Sequence, residues 1–272
     1  MPELPEIVNL ARQMTRQLQG KRIKDAELNQ PKCLNMTPKR FRRRIVNKIM
    51  NETVGHGKWL FTKLSPSDNL LLNLGMGGDL RYHKKRGTIP KKHQLRLVFA
   101  DHTELTVSFW WFGYIHLASD EELPRHKMTC SLGVSPIEKG FTVEKLCSIL
   151  SGRRGSIKSF LLGQKNIAGI GNVYIQDILF KATLHPLRRI ETLTSTEIQA
   201  LHQAMLNVLH ESIKLGGLTY ERDLYGRRGR YGSEHFLVGY KENRPCPTCR
   251  TTIVKIKTGS TSSYICPKCQ RL

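Results

Sequence analysis

Cys246-Pro247-Thr248-Cys249 and Cys266-Pro267-Lys268-Cys269, two Cys-x-x-Cys pairs sixteen residues apart, decide how the last part of this chain folds. Each pair turns tightly enough to aim two thiolates at one ion, and four ligands close a tetrahedral shell, so the metal expected is one structural Zn²⁺. Ile253-Val254-Lys255-Ile256 and Ser263-Tyr264-Ile265 read as the two strands of a hairpin between the pairs. The competing reading, two disulfides of a secreted protein, asks for a signal-peptide pattern that the opening residues do not have. Cys33, Cys130 and Cys147 lack such spacing and are expected to be ordinary thiols.

Outward from that module, the charge is the next constraint. The 272 residues hold 44 Lys+Arg against 22 Asp+Glu, a net charge of +22. Such an excess calls for a polyanionic partner, and nucleic acid is the leading one. A membrane is not expected, because no apolar run approaches the roughly 18–20 residues of a spanning helix. The expected setting is the cytoplasm, at the nucleoid if the cell is prokaryotic.

At the opposite end stands Met1-Pro2-Glu3-Leu4-Pro5-Glu6. Removal of Met1 would leave the Pro2 nitrogen as the free amine of the chain, with a reference pKa of about 7.7–8.0, so a useful fraction is an unprotonated nucleophile at neutral pH. The plainer reading is a helix start, with Pro5 at the first helical position and Glu3 and Glu6 at the positive end of the dipole. Ile7, Leu10, Ala11, Met14 and Leu18 then recur at helical spacing up to Gly20.

After this helix the texture becomes strand-like over 22–28, 54–64, 69–74, 80–83, 94–100 and 104–117, which suggests a β-sandwich. Residues 120–141 read as an interdomain linker. Helical periodicity returns over 143–150, 157–162, 173–182 and 195–215, and 216–244, rich in Gly, Arg and Tyr, reads as a long mobile loop. The fold class expected is α+β, with segments 1–130 (N-terminal helix and β-sandwich), 131–240 (helical) and 241–272 (zinc finger). Gln164-Lys165-Asn166-Ile167-Ala168-Gly169-Ile170-Gly171-Asn172-Val173-Tyr174 lies between two helices. Two glycines before a helix can offer backbone N–H groups to a phosphate, and Asn172 can cap the helix or donate to the same group.

The opening MPELPE, the central QKNIAGIGNVY and the closing CPTC…CPKC together resemble the formamidopyrimidine-DNA glycosylase / endonuclease VIII family, in register over nearly the whole chain. The resemblance implies a helix-two-turn-helix in the helical segment and an enzyme that excises oxidised bases from damaged double-stranded DNA, then cuts the strand as an abasic-site lyase, acting as a monomer. It implies that Pro2 attacks C1′ of an extruded nucleotide and that Glu3 protonates the sugar ring oxygen. Glu6 lies on the same helical face. It further implies that Lys58 lies near the reacting sugar and its phosphate, that Asn172 binds phosphate, and that Met76 fills the gap left by the flipped base. Lys165, Phe112 and Arg154 complete the expected DNA-binding set.

Two positions depart from the family pattern. Thr261 stands where the family carries a phosphate-binding arginine at the hairpin tip, with Lys255 and Lys257 as electrostatic substitutes. In Phe109-Trp110-Trp111-Phe112-Gly113, tryptophans stand where 8-oxoguanine enzymes read the opposite base with arginine. The 8-oxoguanine and formamidopyrimidine substrates are slightly favoured; an endonuclease VIII-like enzyme for oxidised pyrimidines and a non-catalytic damaged-DNA binder are the alternatives.

Overall fold

A computed structural model describes residues 1–84, 89–90 and 92–272, and their contacts divide into two compact units. The first comprises 1–131 together with 215–230, the second 132–214 together with 231–272.

In the first unit, α1 (Leu4–Leu18) starts one residue ahead of Pro5, opens on a capping box between Glu3 and Glu6, and turns Ile7, Leu10, Met14 and Leu18 into the core. Two four-stranded antiparallel sheets follow. One has the order β1 (Ile23–Leu28), β6 (Leu95–Phe99), β7 (Glu104–Ser108), β5 (Asp79–His83). The other has the order β2 (Ile49–His56), β3 (Trp59–Ser65), β4 (Asp68–Asn73), β8 (Tyr114–Ser119). Leu60, Leu70 and Leu72 from one sheet and Leu80, Leu97 and Val107 from the other share a single apolar core with α1. Where β2 slips register between Met50 and Thr53, the Thr15 hydroxyl of α1 takes the Thr53 N–H at 2.8 Å and donates to the Thr53 carbonyl at 3.1 Å. The slip therefore leaves no Thr53 backbone group unpaired.

Two of the expected strand runs break, and one helix arises where none was expected. The 54–64 run is not one strand: Gly57-Lys58 form a two-residue hairpin loop between β2 and β3, with Gly57 at φ +60° as the first position of such a turn demands. The 104–117 run likewise breaks, and 109–113 leave the sheet between β7 and β8. A second helix, α2 (Pro38–Ile45), was not expected; Thr37 caps it, and only Phe41 and Ile45 are buried.

The second unit contains α3 (Val143–Leu150), α4 (Ile157–Leu162), α5 (Tyr174–Lys181) and α6 (Ser195–Lys214), in agreement with the helical periodicity. It ends in the hairpin β9 (Val254–Thr258) and β10 (Thr261–Ile265). Phe180 and Val238 pack against Cys246, Ile253 and Cys266, so the four-cysteine module shares a small core with α5.

The stretch read as a mobile loop is pinned at both ends. In the first unit the Leu224 N–H donates to Gln13 Oε1 at 2.9 Å, its carbonyl accepts from Tyr82 N–H at 2.9 Å, and its side chain is wholly buried. In the second, the buried Asp177 carboxylate accepts N–H groups of Leu237, Val238 and Gly239 at 2.9–3.0 Å. These contacts are too isolated along the sequence to give a period, which is why the segment reads as loose.

Candidate active site

The first turn of α1 is a buried carboxylate site. Glu3 and Glu6 are only 3% and 4% exposed. Glu6 Oε2 accepts the Glu3 N–H at 2.9 Å, and Glu6 Oε1 accepts the Leu218 N–H at 3.0 Å. Both oxygens of Glu6 thus hold backbone: one fixes the N-cap, the other docks 215–230 onto it. Pro2 is buried beside them. The amine of the first residue, Met1, lies 3.4 Å from Glu221 Oε1. Burial pushes the Glu221 carboxyl above its ordinary range; Glu3 and Asp79 push the same way, while the terminal amine opposes them.

A cavity of about 480 Å³ opens at this point, lined by Met1, Met76, Asp79, Trp110 and Glu221 among others. Of the residues picked from sequence, Met76 lines this cavity; Lys58 is not among its lining residues and sits half-buried in the β2–β3 loop, its carbonyl accepting from Asn73 Nδ2 at 3.1 Å. Met76 is backed by main chain: its N–H donates to Trp111 O and its carbonyl accepts from Trp110 N–H, both at 2.8 Å. Phe112 is exposed beside it.

The second unit holds the remaining candidates. Gln164 braces the 164–174 segment, accepting from Gly169 N–H and donating to Ile170 O, each at 2.8 Å. Asn172 is tied by Gln176, whose Nε2 donates to the Asn172 carbonyl at 2.9 Å and lies 3.3 Å from Asn172 Oδ1. The same Nε2 lies 3.3 Å from the Ser262 carbonyl, so Asn172 is coupled to the tip of the hairpin. Lys165 and Arg154 are exposed.

At that tip the structure shows a group sequence reading missed. Lys158 is buried, and its Nζ lies 2.9 Å from Thr258 Oγ1, 2.9 Å from Thr261 Oγ1, 2.7 Å from Ser262 O and 2.8 Å from Ser263 Oγ. Burial lowers its pKa to about 8. Thr261, where a cation is missing from the sequence, is therefore in contact with one supplied by α4, whereas Lys255 and Lys257 are exposed along β9. Nothing in Ser156-Ile157-Lys158-Ser159 distinguishes this lysine from a solvated one. Glu221 escaped notice in the same way, as one acid in a stretch without period.

The ligand atoms of Cys246, Cys249, Cys266 and Cys269 all lie within 4.8 Å of one another, with the Cys249 sulfur 3.4 Å from both Cys266 and Cys269. Tetrahedral Zn–S bonds of about 2.3 Å space sulfurs at about 3.8 Å, so the cluster fits one zinc ion with all four positions filled by protein.

Comparison with known proteins gives three family matches in chain order. These are the formamidopyrimidine-DNA glycosylase N-terminal domain over 1–108, the formamidopyrimidine-DNA glycosylase H2TH domain over 132–223, and the zinc finger found in FPG and IleRS over 244–272. A formamidopyrimidine-DNA glycosylase of Chloroflexus aurantiacus is 36% identical over 282 residues, covering 99% of this chain and 98% of that protein. One from Streptococcus pneumoniae is 31% identical over 275 residues, covering 100% and 99%. Among solved structures, a Lactococcus lactis FPG mutant in complex with Fapy-dG containing DNA superposes with a TM-score of 0.91 at 26% identity and full coverage of both chains. The Lactococcus lactis complex with abasic-site DNA has the same score and identity, covering 99% of this chain and 100% of that one.

Proposed function

The chain belongs to the formamidopyrimidine-DNA glycosylase family, and from that premise we propose that it excises oxidised bases from double-stranded DNA, formamidopyrimidine and 8-oxoguanine foremost, and cuts the strand at the abasic site. The observation that carries this is the cavity at the start of α1. It gathers the first residue of the chain, a carboxylate held up in pKa, and an apolar side chain backed by main chain.

Once Met1 is removed, the Pro2 nitrogen places its lone pair on C1′ of the extruded nucleotide, the glycosidic bond breaks with its electrons leaving on the base, and the proton lost by the Pro2 nitrogen ends on that base. Glu3 gives its proton to the ring oxygen as the C1′–O4′ bond opens, leaving an iminium at C1′. The cation acidifies C2′–H; loss of that proton expels the 3′ phosphate, a second elimination expels the 5′ phosphate, and water releases Pro2. Glu6 is a positioning residue, since both of its oxygens hold backbone N–H groups. Met76 fills the place of the departed base. Lys58 is assigned to the reacting sugar and its phosphate. Asn172, Lys165 and Arg154 hold DNA phosphates, Lys158 braces the tip of the hairpin from within, and the zinc ion, bound by Cys246, Cys249, Cys266 and Cys269, fixes the hairpin. Segments 1–130, 131–240 and 241–272 then divide chemistry, phosphate grip and hairpin support, except that 215–230 serves the chemistry of the first unit, with the work done at cytoplasmic or nucleoid DNA.

Borohydride should reduce the iminium and leave the processed protein covalently joined to damaged or abasic DNA. Failure of processed protein to trap on any abasic duplex ends this reading. Oxidised pyrimidines are the second reading, favoured by Trp110 and Trp111 between β7 and β8; a duplex panel carrying 8-oxoguanine, formamidopyrimidine, dihydrouracil or thymine glycol separates the two.

Lys158 yields a pH prediction. With its pKa at about 8 it is charged at neutral pH, and it loses its proton as pH rises from 7 to 9. Duplex affinity should fall over that interval, because the cation that braces the hairpin tip is lost. Lys158→Met should bind weakly at both ends of the range with no step between them; a step of wild-type size in this variant removes Lys158 as its source. Free-protein stability moves the other way: the unfolded chain keeps the Lys158 proton up to about pH 10.4, so this group's contribution to stability rises between pH 8 and 10.

A further inference from the structure

The connection between β7 and β8 carries Trp110, Trp111 and Phe112 at 73%, 62% and 68% exposure, beside Met76 at 41%. Single exposed apolar residues are ordinary on a folded surface, but three consecutive aromatics against an exposed methionine are not. The group is held rigidly. Met76 and Trp111, and Trp110 and Met76, exchange the backbone hydrogen bonds given above. Phe112 is kept at φ +59°, a conformation costly for a bulky side chain. Gly77, at φ +64°, lies so close under the Trp110 indole that a Cβ there would come within 2.4 Å of the ring. One face of that indole is thus seated on main chain, and the high exposure of the residue leaves the other open. Trp110 and Met76 also line the cavity at the start of α1, so the array stands at the reaction end of this unit.

The chemistry of the array is one-sided. Residues 109–112 are all aromatic, and no amide, carboxylate or guanidinium is among their side chains. Bases are told apart by the donors and acceptors along their edges, whereas an aromatic face accepts any base. When a damaged nucleotide leaves the duplex, the base it faced loses its partner, and an open indole offers that base a stack. We infer that Trp110 and Trp111 hold the base opposite the lesion by stacking, so that excision ranks opposite bases by π surface and not by identity. This rests on the glycosylase reading given above.

The test uses one lesion placed opposite C, T, A, G or a baseless tetrahydrofuran, with single-turnover kcat/KM as the readout. The four bases should fall within about fivefold of one another, purines ahead, while the baseless duplex falls about tenfold below, within the range of a stacked base. Trp110→Leu/Trp111→Leu should bring all five duplexes to the baseless level without lowering Tm, since both side chains are surface-exposed. A second readout needs no turnover. On an uncleavable abasic analogue, a base opposite the gap should quench tryptophan emission more than a baseless opposite site does, and the double variant should lose that difference. A preference for one opposite base above about thirtyfold, or equal rates and equal quenching with and without an opposite base, overturns the inference. Quenching that follows the opposite base in a protein that never traps on abasic DNA would uphold the stacking and overturn the glycosylase reading alone.

Discussion

A preparation that keeps Met1, or carries any residue ahead of Pro2, is expected to bind abasic DNA and leave it uncut. With Met1 in place the Pro2 nitrogen is part of a peptide bond; its lone pair is delocalised into the carbonyl and cannot form an iminium. Strand cleavage and borohydride trapping should both fall by at least about 10³-fold, the scale on which loss of a nucleophile is felt. Binding should change little, because the phosphate-holding groups assigned here lie elsewhere in the chain. Mass spectrometry of the same sample, reporting Met1 present or absent, decides the comparison. Equal cleavage by both forms would move the nucleophile away from Pro2. Glu3→Gln should keep the amine but lose iminium formation, and with it trapping and strand cleavage, since an amide N–H is too weak an acid to protonate the ring oxygen.

Removing the zinc should have the next largest effect. Cys246 and Cys266 are wholly buried against Ile253, Phe180 and Val238, so an empty site would leave thiols crowded where an ion should neutralise them. Structural zinc contributes an apparent 10–16 kcal/mol in small zinc-finger peptides, about as much as a typical domain's entire stability. A strong chelator should release one equivalent of zinc per chain. Duplex affinity should then fall by about 10²-fold or more, since a protein resting on several phosphate contacts loses affinity steeply as they go, and zinc, unlike magnesium, should restore it. The link from metal to DNA is structural: the hairpin supplies all four oxygens around Lys158 and, through Ser262, the contact to Gln176 and Asn172. Metal-free protein with undiminished affinity would separate the hairpin from the DNA grip.

What the sequence disclosed depended on whether a residue's role left a period or a spacing behind. The α1 face, the helices of the second unit and the four cysteines all do, and each is found where expected. The α2 helix leaves almost none: five of its eight residues are basic and only two face the core, so it reads as a charge run. The β2–β3 turn is hidden because apolar alternation continues across Gly57-Lys58. Lys158 looks like any surface lysine, since its burial comes from a hairpin a hundred residues away in the chain. Glu6 was readable as a helix-start acid, but its second oxygen serves Leu218, which no local pattern announces.

The excursion 215–230 bears on how this protein can be taken apart. It belongs to the first unit although the chain reaches it only after building most of the second. A fragment cut after Ser131 would lack Leu224 from its core, the Leu218 N–H from Glu6 and a carbonyl for Tyr82 N–H. Such a piece should come out of expression poorly folded even though its sandwich is complete in sequence. A minimal catalytic half would have to be a graft, with 215–230 spliced back through a tether that replaces the whole helical segment.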